Sequence, residues 1–279
     1  MREYRLTSKA ACDSLAGRGA NRILLGFCIM NDWLDDLRTA VAFLTRLPLP
    51  HPMGPMPGNF VRAQRMFPLV GAAIGGVVGI VCLGMRMIGV PDLAAAALAL
   101  GASAILTGAL HEDGLADVAD GFGGGRDPAA KLEIMRDSRL GTYGALILMV
   151  SFATKLSALA ALPDAVIVQG LTAAHALARG VLPAMSMSLA YARRDGLAAN
   201  AGRPDLATAA MAGVFALVIA LLVLPWFDAF CAALVAVAAA IGMAWLAQRQ
   251  IGGQTGDVLG GAEQVAETAI LVTLAAQLA

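Results

Sequence analysis

The chain has 279 residues, of which 58% are apolar and only 14% charged, and its mean hydropathy is +0.72. That balance excludes an ordinary soluble domain and points to a chain embedded in a lipid bilayer. Lys and Arg together number 20, as do Asp and Glu, so no basic field indicates a nucleic-acid partner and no acidic excess indicates a solvating tail.

Residues 1–29 carry a basic stretch and a short apolar run from Ile23 to Ile29. No small-residue cleavage site follows, so they read as an N-terminal extension and not as a secretory signal, with Met30 as an alternative start. The remainder, 30–279, reads as one integral-membrane domain. Asn31 caps an expected amphipathic helix that continues to about Leu47 and lies at the membrane surface. Pro48, Pro50, Pro52, Pro55 and Pro57 then enforce an extended strap, in which His51 is expected to face solvent. Cys12, Cys28, Cys82 and Cys231 stand far apart without a Cys-x-x-Cys pair, which argues against zinc, an iron–sulfur cluster or a disulfide framework.

Crossing a hydrocarbon core takes about 20 helical residues. Seven stretches meet that need: 67–90, 92–110, 141–161, 165–190, 206–226, 228–247 and 262–279. The expected fold class is therefore all-α, a polytopic helical membrane protein of about seven spans. Gly71, Gly75 and Gly79 repeat every four residues, a stripe suited to close helix packing. The connectors Pro91-Asp92, Pro163-Asp164 and Pro225 to Asp228 lack Lys and Arg. Cations gather instead in the N-terminal arm and in 111–140, 191–205 and 248–261, so those segments are expected to face the cytoplasm of an inner-membrane protein. Arg86 fits this badly, near the outward end of its span, and must snorkel or face a cavity. Glu263 and Glu267 open the last span, which could therefore lie partly in the interface.

The chemistry concentrates between residues 107 and 144. Asp113, Asp117 and Asp120 are spaced by four and by three, so on a helix they fall within about 60° of one another. No cation stands between residues 111 and 125 to relieve their repulsion. Hard oxygen ligands without thiolates suit Mg2+ or Mn2+, whose shell a phosphate-bearing substrate would complete. A merely polar helix end at the membrane surface is the alternative. Gly121, Gly123, Gly124 and Gly125 predict a turn whose amides approach anionic oxygens, with Arg126 as a forked donor. Asp127 and Pro128 open a further helix, expected to carry Lys131, Arg136, Asp137 and Arg139 before Gly141 ends it. Cations and carboxylates in one segment meet the needs of metal-assisted displacement at phosphorus: neutralised oxygens, an Arg grip and a carboxylate to accept a hydroxyl proton.

Four further positions bear on that chemistry. Ionisable groups inside spans are expensive. Arg179, near the inward end of its span, is read as a phosphate-binding group, with a structural ion pair as the alternative; Lys155 divides evenly between a substrate contact and a structural or snorkelling role. His175 is read as a hydrogen-bonded packing residue. His111 falls on the opposite helical side from Asp113 and either orients a carboxylate, binds substrate or packs. In 252–261, Thr255 and Asp257 stand among glycines that leave backbone amides accessible, which makes Asp257 the preferred ligand or base from outside the stripe.

The run His-Glu-Asp-Gly-Leu-Ala-Asp-Val-Ala-Asp-Gly-Phe-Gly-Gly-Gly-Arg-Asp at 111–127, with Glu-Ile-Met-Arg-Asp-Ser-Arg-Leu-Gly-Thr-Tyr-Gly at 133–144, resembles the signature of the cobalamin synthase (adenosylcobinamide-GDP ribazoletransferase) family. Phe-Leu-Thr-Arg-Leu-Pro-Leu-Pro at 43–50, Arg-Ala-Gln-Arg-Met-Phe-Pro-Leu-Val-Gly at 62–71 and Gly-Gly-Gln-Thr-Gly-Asp-Val-Leu-Gly-Gly-Ala-Glu-Gln at 252–264 agree with it. The likeness runs from about residue 32 to the C-terminus; Glu112 stands where an apolar residue is expected, and residues 1–29 have no counterpart. The resemblance implies transfer of the adenosylcobinamide-phosphate moiety of adenosylcobinamide-GDP to alpha-ribazole or its 5′-phosphate, with magnesium and release of GMP. It leaves open a homo-oligomer or association with other corrinoid-pathway enzymes. A CDP-alcohol-type phosphotransferase shares the logic of metal-bound carboxylates but not the Arg-Gly arrangement of its motif. A transporter would show an internal repeat, which the sequence lacks.

Overall fold

A computed structural model describes residues 22–48, 57–193 and 202–278; most of the N-terminal extension, 49–56 with Pro50, His51, Pro52 and Pro55 of the expected strap, and 194–201 lie outside the described residues, while Pro57, expected to be extended, is the first residue of a helix, where its missing N–H costs nothing. Twelve α-helices form among them, with no strand. Helix α1 (Arg22–Leu44) is followed by α2 (Pro57–Ala63), a 3-10 turn (Gln64–Met66) and α3 (Phe67–Met87). α1 runs without a break through Asn31, which is an interior position and not a cap. The apolar run before it is itself free of proline, so nothing stops the helix from propagating upstream.

Buried Asp36 ties α1 to the rest. It accepts from Arg62 Nε at 2.9 Å and pairs with Arg65 at 2.7 Å, while the Arg65 guanidinium lies 3.7 Å over the Trp33 ring. Burial pushes the Asp36 carboxyl up, against the pull of Arg62 and Arg65.

α3 and α8 (Asp164–Gly180) approach along the glycine stripe. A Cβ at Gly71 would lie 2.3 Å from the His175 carbonyl oxygen, at Gly75 2.2 Å from that of Leu171, and at Gly79 2.7 Å from Val168 Cα. The stripe therefore packs helices, as expected, and sets the depth at which α8 presents His175 and Arg179.

The expected straight span 92–110 does not form. α4 (Asp92–Thr107) has 16 residues, a rise of only about 24 Å. The backbone then turns left-handed at Gly108 (φ 71°) and Ala109 (φ 56°), and α5 (Leu110–Gly124) departs at 92°. The Arg46 side chain occupies the space beside Gly108, where a Cβ would lie 2.8 Å from Arg46 Cδ, and the Arg46 N–H donates to Leu106 O at 2.8 Å. The carboxylate-bearing helix thus runs across the bundle and does not continue α4.

α6 (Pro128–Ile134) and α7 (Thr142–Ala161) precede α8; α9 (Leu182–Ser188), α10 (Leu206–Val223), α11 (Trp226–Ile251) and α12 (Gly256–Leu278) follow it. Among the described residues six helical segments are long and apolar enough to cross a membrane, and α4 with α5 makes a seventh when counted as one broken span. α10 shows the sorting: Ala209, Ala212, Ala216 and Ala220 are buried, whereas Val214, Val218 and Leu222 face outward. Small residues inside and large ones outside are what a lipid solvent permits. α12 begins at Gly256 and not at 262, which carries Glu263 and Glu267 into the bundle, where both are buried.

Arg86 does not snorkel. It donates to the carbonyls of Leu159 (2.7 Å) and Leu162 (2.8 Å), the open C-terminal end of α7, and pairs with Asp164 at 2.9 Å and Asp92 at 3.2 Å. A cation at a helix C-terminus satisfies carbonyls that lack intrahelical donors.

Candidate active site

Gly114 lets α5 meet the first turn of α12: a Cβ there would lie 2.8 Å from the Asp257 carbonyl oxygen. Asp113, exposed, and Asp117, half-buried, are thereby brought beside Asp257. The charges acting on Asp117 are Asp113, Asp257 and Asp120, opposed by Arg193. Asp113 and Asp117 make no hydrogen bond or ion pair among the described residues. Asp257 Oδ2 accepts from Thr255 Oγ1 at 3.1 Å and pairs with Arg193 at 3.3 Å; Thr255 Oγ1 in turn accepts from the Val258 N–H at 3.2 Å, capping α12. Several carboxylates around one space, with one neighbouring guanidinium, leave negative charge that an oxygen-seeking divalent cation suits.

Asp120 has a second employment. Its Oδ2 accepts from the Gly141 N–H and its Oδ1 from the Gly144 N–H, both at 2.8 Å, so it caps α7 from α5. Glycine is required at both positions, since a Cβ would lie 2.4 Å and 2.3 Å from its carboxylate. The carboxylates with open oxygens are Asp113 and Asp117, joined by Asp257.

The glycine run is not the expected turn. Gly121, Gly123 and Gly124 are helical, and only Gly125 is extended. Their small size serves packing: a Cβ at Gly121 would lie 2.5 Å from Met135 Cγ and at Gly123 2.7 Å from the Tyr143 ring. Asp127 caps α6 as expected, accepting from the Ala130 N–H at 3.0 Å. α6 nevertheless ends at Ile134, leaving Arg136, Asp137 and Arg139 on the turn before Gly141. A helix of seven residues is too short to carry them, because the caps at Met135 close it. Asp137 and Arg139 pair at 2.6 Å in solvent, and that guanidinium holds the Asp137 carboxyl below the usual carboxylate range. Arg126 is exposed on the turn between α5 and α6, and Lys131 donates to Gln250 Oε1.

Deeper in the bundle lies an ionic cage. Lys155 on α7 donates to Gln264 Oε1 at 2.7 Å and to Glu267 Oε1 at 3.2 Å. His111 Nδ1 is 3.3 Å from Glu263 Oε2 and 3.3 Å from Arg179 Nη2. His175, Glu263 and Glu267 offer ligand atoms within 4.8 Å of one another, a second constellation with metal-binding geometry. Its centre is filled, however. Arg179 Nη1 lies 2.6 Å from Glu263 Oε1, 2.8 Å from His175 Nδ1 and 3.7 Å from Glu267 Oε2. A metal ion there would meet a fixed guanidinium at hydrogen-bond distance, so the cage carries its own cation, and the aspartates are the group that could hold a divalent ion. Arg179, only 1% exposed, is thus engaged by carboxylate, and Lys155 is engaged likewise. Sequence reasoning passes over Glu263, Glu267 and Arg193 as site residues. One signal is present: His175/Arg179 and Glu263/Glu267 are complementary i,i+4 pairs on apolar helices.

A family model described as cobalamin-5-phosphate synthase matches residues 36–275. The adenosylcobinamide-GDP ribazoletransferase of Bradyrhizobium diazoefficiens is 44% identical over 244 residues, covering 87% of this chain and 94% of that protein. Proteins of the same name from a Sinorhizobium species and from Mesorhizobium japonicum are 40% and 43% identical, covering 90% and 86% of this chain and 99% and 92% of theirs. No solved structure matches the chain.

Proposed function

Because the chain belongs to the cobalamin-5-phosphate synthase family, we propose that it transfers the adenosylcobinamide-phosphate moiety of adenosylcobinamide-GDP to alpha-ribazole or alpha-ribazole 5′-phosphate, releasing GMP. The observation that carries a phosphoryl-transfer site is the meeting of Asp113 and Asp117, whose oxygens are open, with Asp257 from another helix. Asp113 and Asp117 would hold Mg2+ or Mn2+, which when bound neutralises phosphate oxygens and favours departure of GMP. A ribose hydroxyl attacks the phosphorus attached to the corrinoid side chain; the new P–O bond forms as the bond to the GMP oxygen breaks. A carboxylate at the site takes the hydroxyl proton, and Asp257, placed by Thr255 on a helix end, suits that task. Arg126 and Arg136, near the end of α5, are candidates for outer contacts with the substrate.

The site is proposed to face the cytoplasm from the inner membrane, a reading supported by the gathering of cations at that end of the bundle. Purified protein in liposomes, supplied with both substrates and magnesium, should release GMP in step with corrinoid product. Release of CMP from a CDP-alcohol donor, or uptake of solute without turnover, would instead support the lipid phosphotransferase or the transporter.

A further inference from the structure

One guanidinium beside the aspartates is only half used. Arg193 follows α9 on a segment fixed by backbone pairing: the Ala192 N–H donates to Gln254 O at 2.9 Å, and the Gln254 N–H to Ala190 O at 2.8 Å. Gly253 makes this possible, since a Cβ there would lie 2.3 Å from Ala190 O. Gln254 Nε2 adds hydrogen bonds to Ser186 O at 2.7 Å and Leu189 O at 3.2 Å. Arg193 is therefore held against the same loop that delivers Asp257.

Its Nη2 donates to Asp257 Oδ2 at 3.3 Å. Its Nη1 is buried and has no hydrogen-bond partner among the described residues, and the same is true of Tyr191 Oη. Tyr191 stands two residues before Arg193, at the bridge that pairs this segment with Gln254. A buried, charged donor without an acceptor is costly and demands one. Arg193 also acts electrostatically on Asp117, so its charge is felt on the α5 stripe as well as at Asp257.

Building on the transferase reading above, we propose that Arg193 is a substrate-binding residue that grips the diphosphate of the nucleotide-activated substrate. Nη1 donates to a non-bridging phosphate oxygen while Nη2 stays on Asp257, and Tyr191 Oη supplies a second donor. The fork matters because one guanidinium serves a protein carboxylate and a phosphate at once, which an ammonium cannot do in the same geometry.

The test uses the full chain in liposomes with magnesium, as wild type, Arg193→Lys and Arg193→Gln. Loss of one charge-assisted hydrogen bond should raise KM for adenosylcobinamide-GDP about tenfold or more in both variants. KM for alpha-ribazole should stay within about twofold, and inhibition by inorganic pyrophosphate should weaken in parallel, because only the anion-binding contact is lost. An unchanged KM for the GDP substrate with a lower kcat, or a raised magnesium requirement alone, would overturn the proposal by showing that Arg193 serves only to place Asp257. Should Arg193→Gln fail to fold, Arg193→Lys, which keeps the charge, decides. Should the wild type release no GMP, the transferase reading fails on its own; pyrophosphate binding with magnesium, measured by calorimetry on wild type and Arg193→Lys, still judges Arg193, and equal binding by the two sinks it.

Discussion

Arg179 Nη1 lies 2.6 Å from Glu263 Oε1 in the interior of a bundle of membrane-type helices, where neither side chain reaches water. Removing Glu263 leaves Arg179 with Glu267 as its one carboxylate, at 3.7 Å, and removing Arg179 leaves two buried carboxylates to the single cation Lys155. Glu263→Gln and Arg179→Gln should each destabilise the protein by about 3–5 kcal/mol, and replacing both with Met should restore most of that loss. Thermal unfolding in detergent reads this directly. If Arg179 instead gripped phosphate, the single variants would fold normally and lose turnover.

The aspartates should separate into two classes. Asp113→Asn, Asp117→Asn and Asp257→Asn should lower GMP release per folded molecule by at least about two orders of magnitude. Removing Asp113 or Asp117 should not harm folding, since neither makes a bond that would be lost. Asp120→Asn sets an amide against one of two backbone N–H donors and should cost about 1–2 kcal/mol of stability. Turnover and unfolding temperature measured on the same samples distinguish the classes, and near-normal turnover in Asp113→Asn and Asp117→Asn together would remove the metal assignment.

Activity should vanish with a chelator and return with Mg2+ or Mn2+, because the open ligands are all oxygens. Release of GMP before chelation, after it and after metal replacement is the measurement. Undiminished turnover in exhaustively chelated protein would mean that the aspartates act without metal.

Orientation is open to labelling. In a chain otherwise free of cysteine, a Cys at position 124, exposed at the end of α5, should resist an impermeant thiol reagent applied from the periplasm. A Cys at 164, exposed at the opposite end, should react. The reverse pattern would invert the proposed topology.

Much of this architecture is legible in the sequence because lipid imposes it: apolar length marks the spans, and the Gly71–Gly75–Gly79 period marks a helix contact. The proximity of Asp257 to the stripe is readable only as chemistry, since nothing local says that 114 and 257 touch. The bend at Gly108 and Ala109 is hidden because Thr-Gly-Ala-Leu is as apolar as a continuing span, and Arg46, which bonds Leu106 O and packs beside Gly108, is distant in sequence. Glu263 and Glu267 read as interfacial because their partners come from α7 and α8. Arg86 looks misplaced for the same reason: its acceptors are carbonyls more than seventy residues away. Charge pairing between helices is a tertiary fact, invisible to a window that slides along one chain.

The cap that Asp120 places on α7 couples chemistry to the lipid itself. α7 presents Leu146, Met149, Val150 and Phe152 to the outside of the bundle, and its first turn hangs on the carboxylate of the helix that bears Asp113 and Asp117. A bilayer thicker or thinner than α7 prefers is accommodated by helix tilt, and that tilt pulls on α5. Turnover in liposomes of graded acyl-chain length should therefore pass through a maximum, and Asp120→Asn, which loosens the tether, should flatten it.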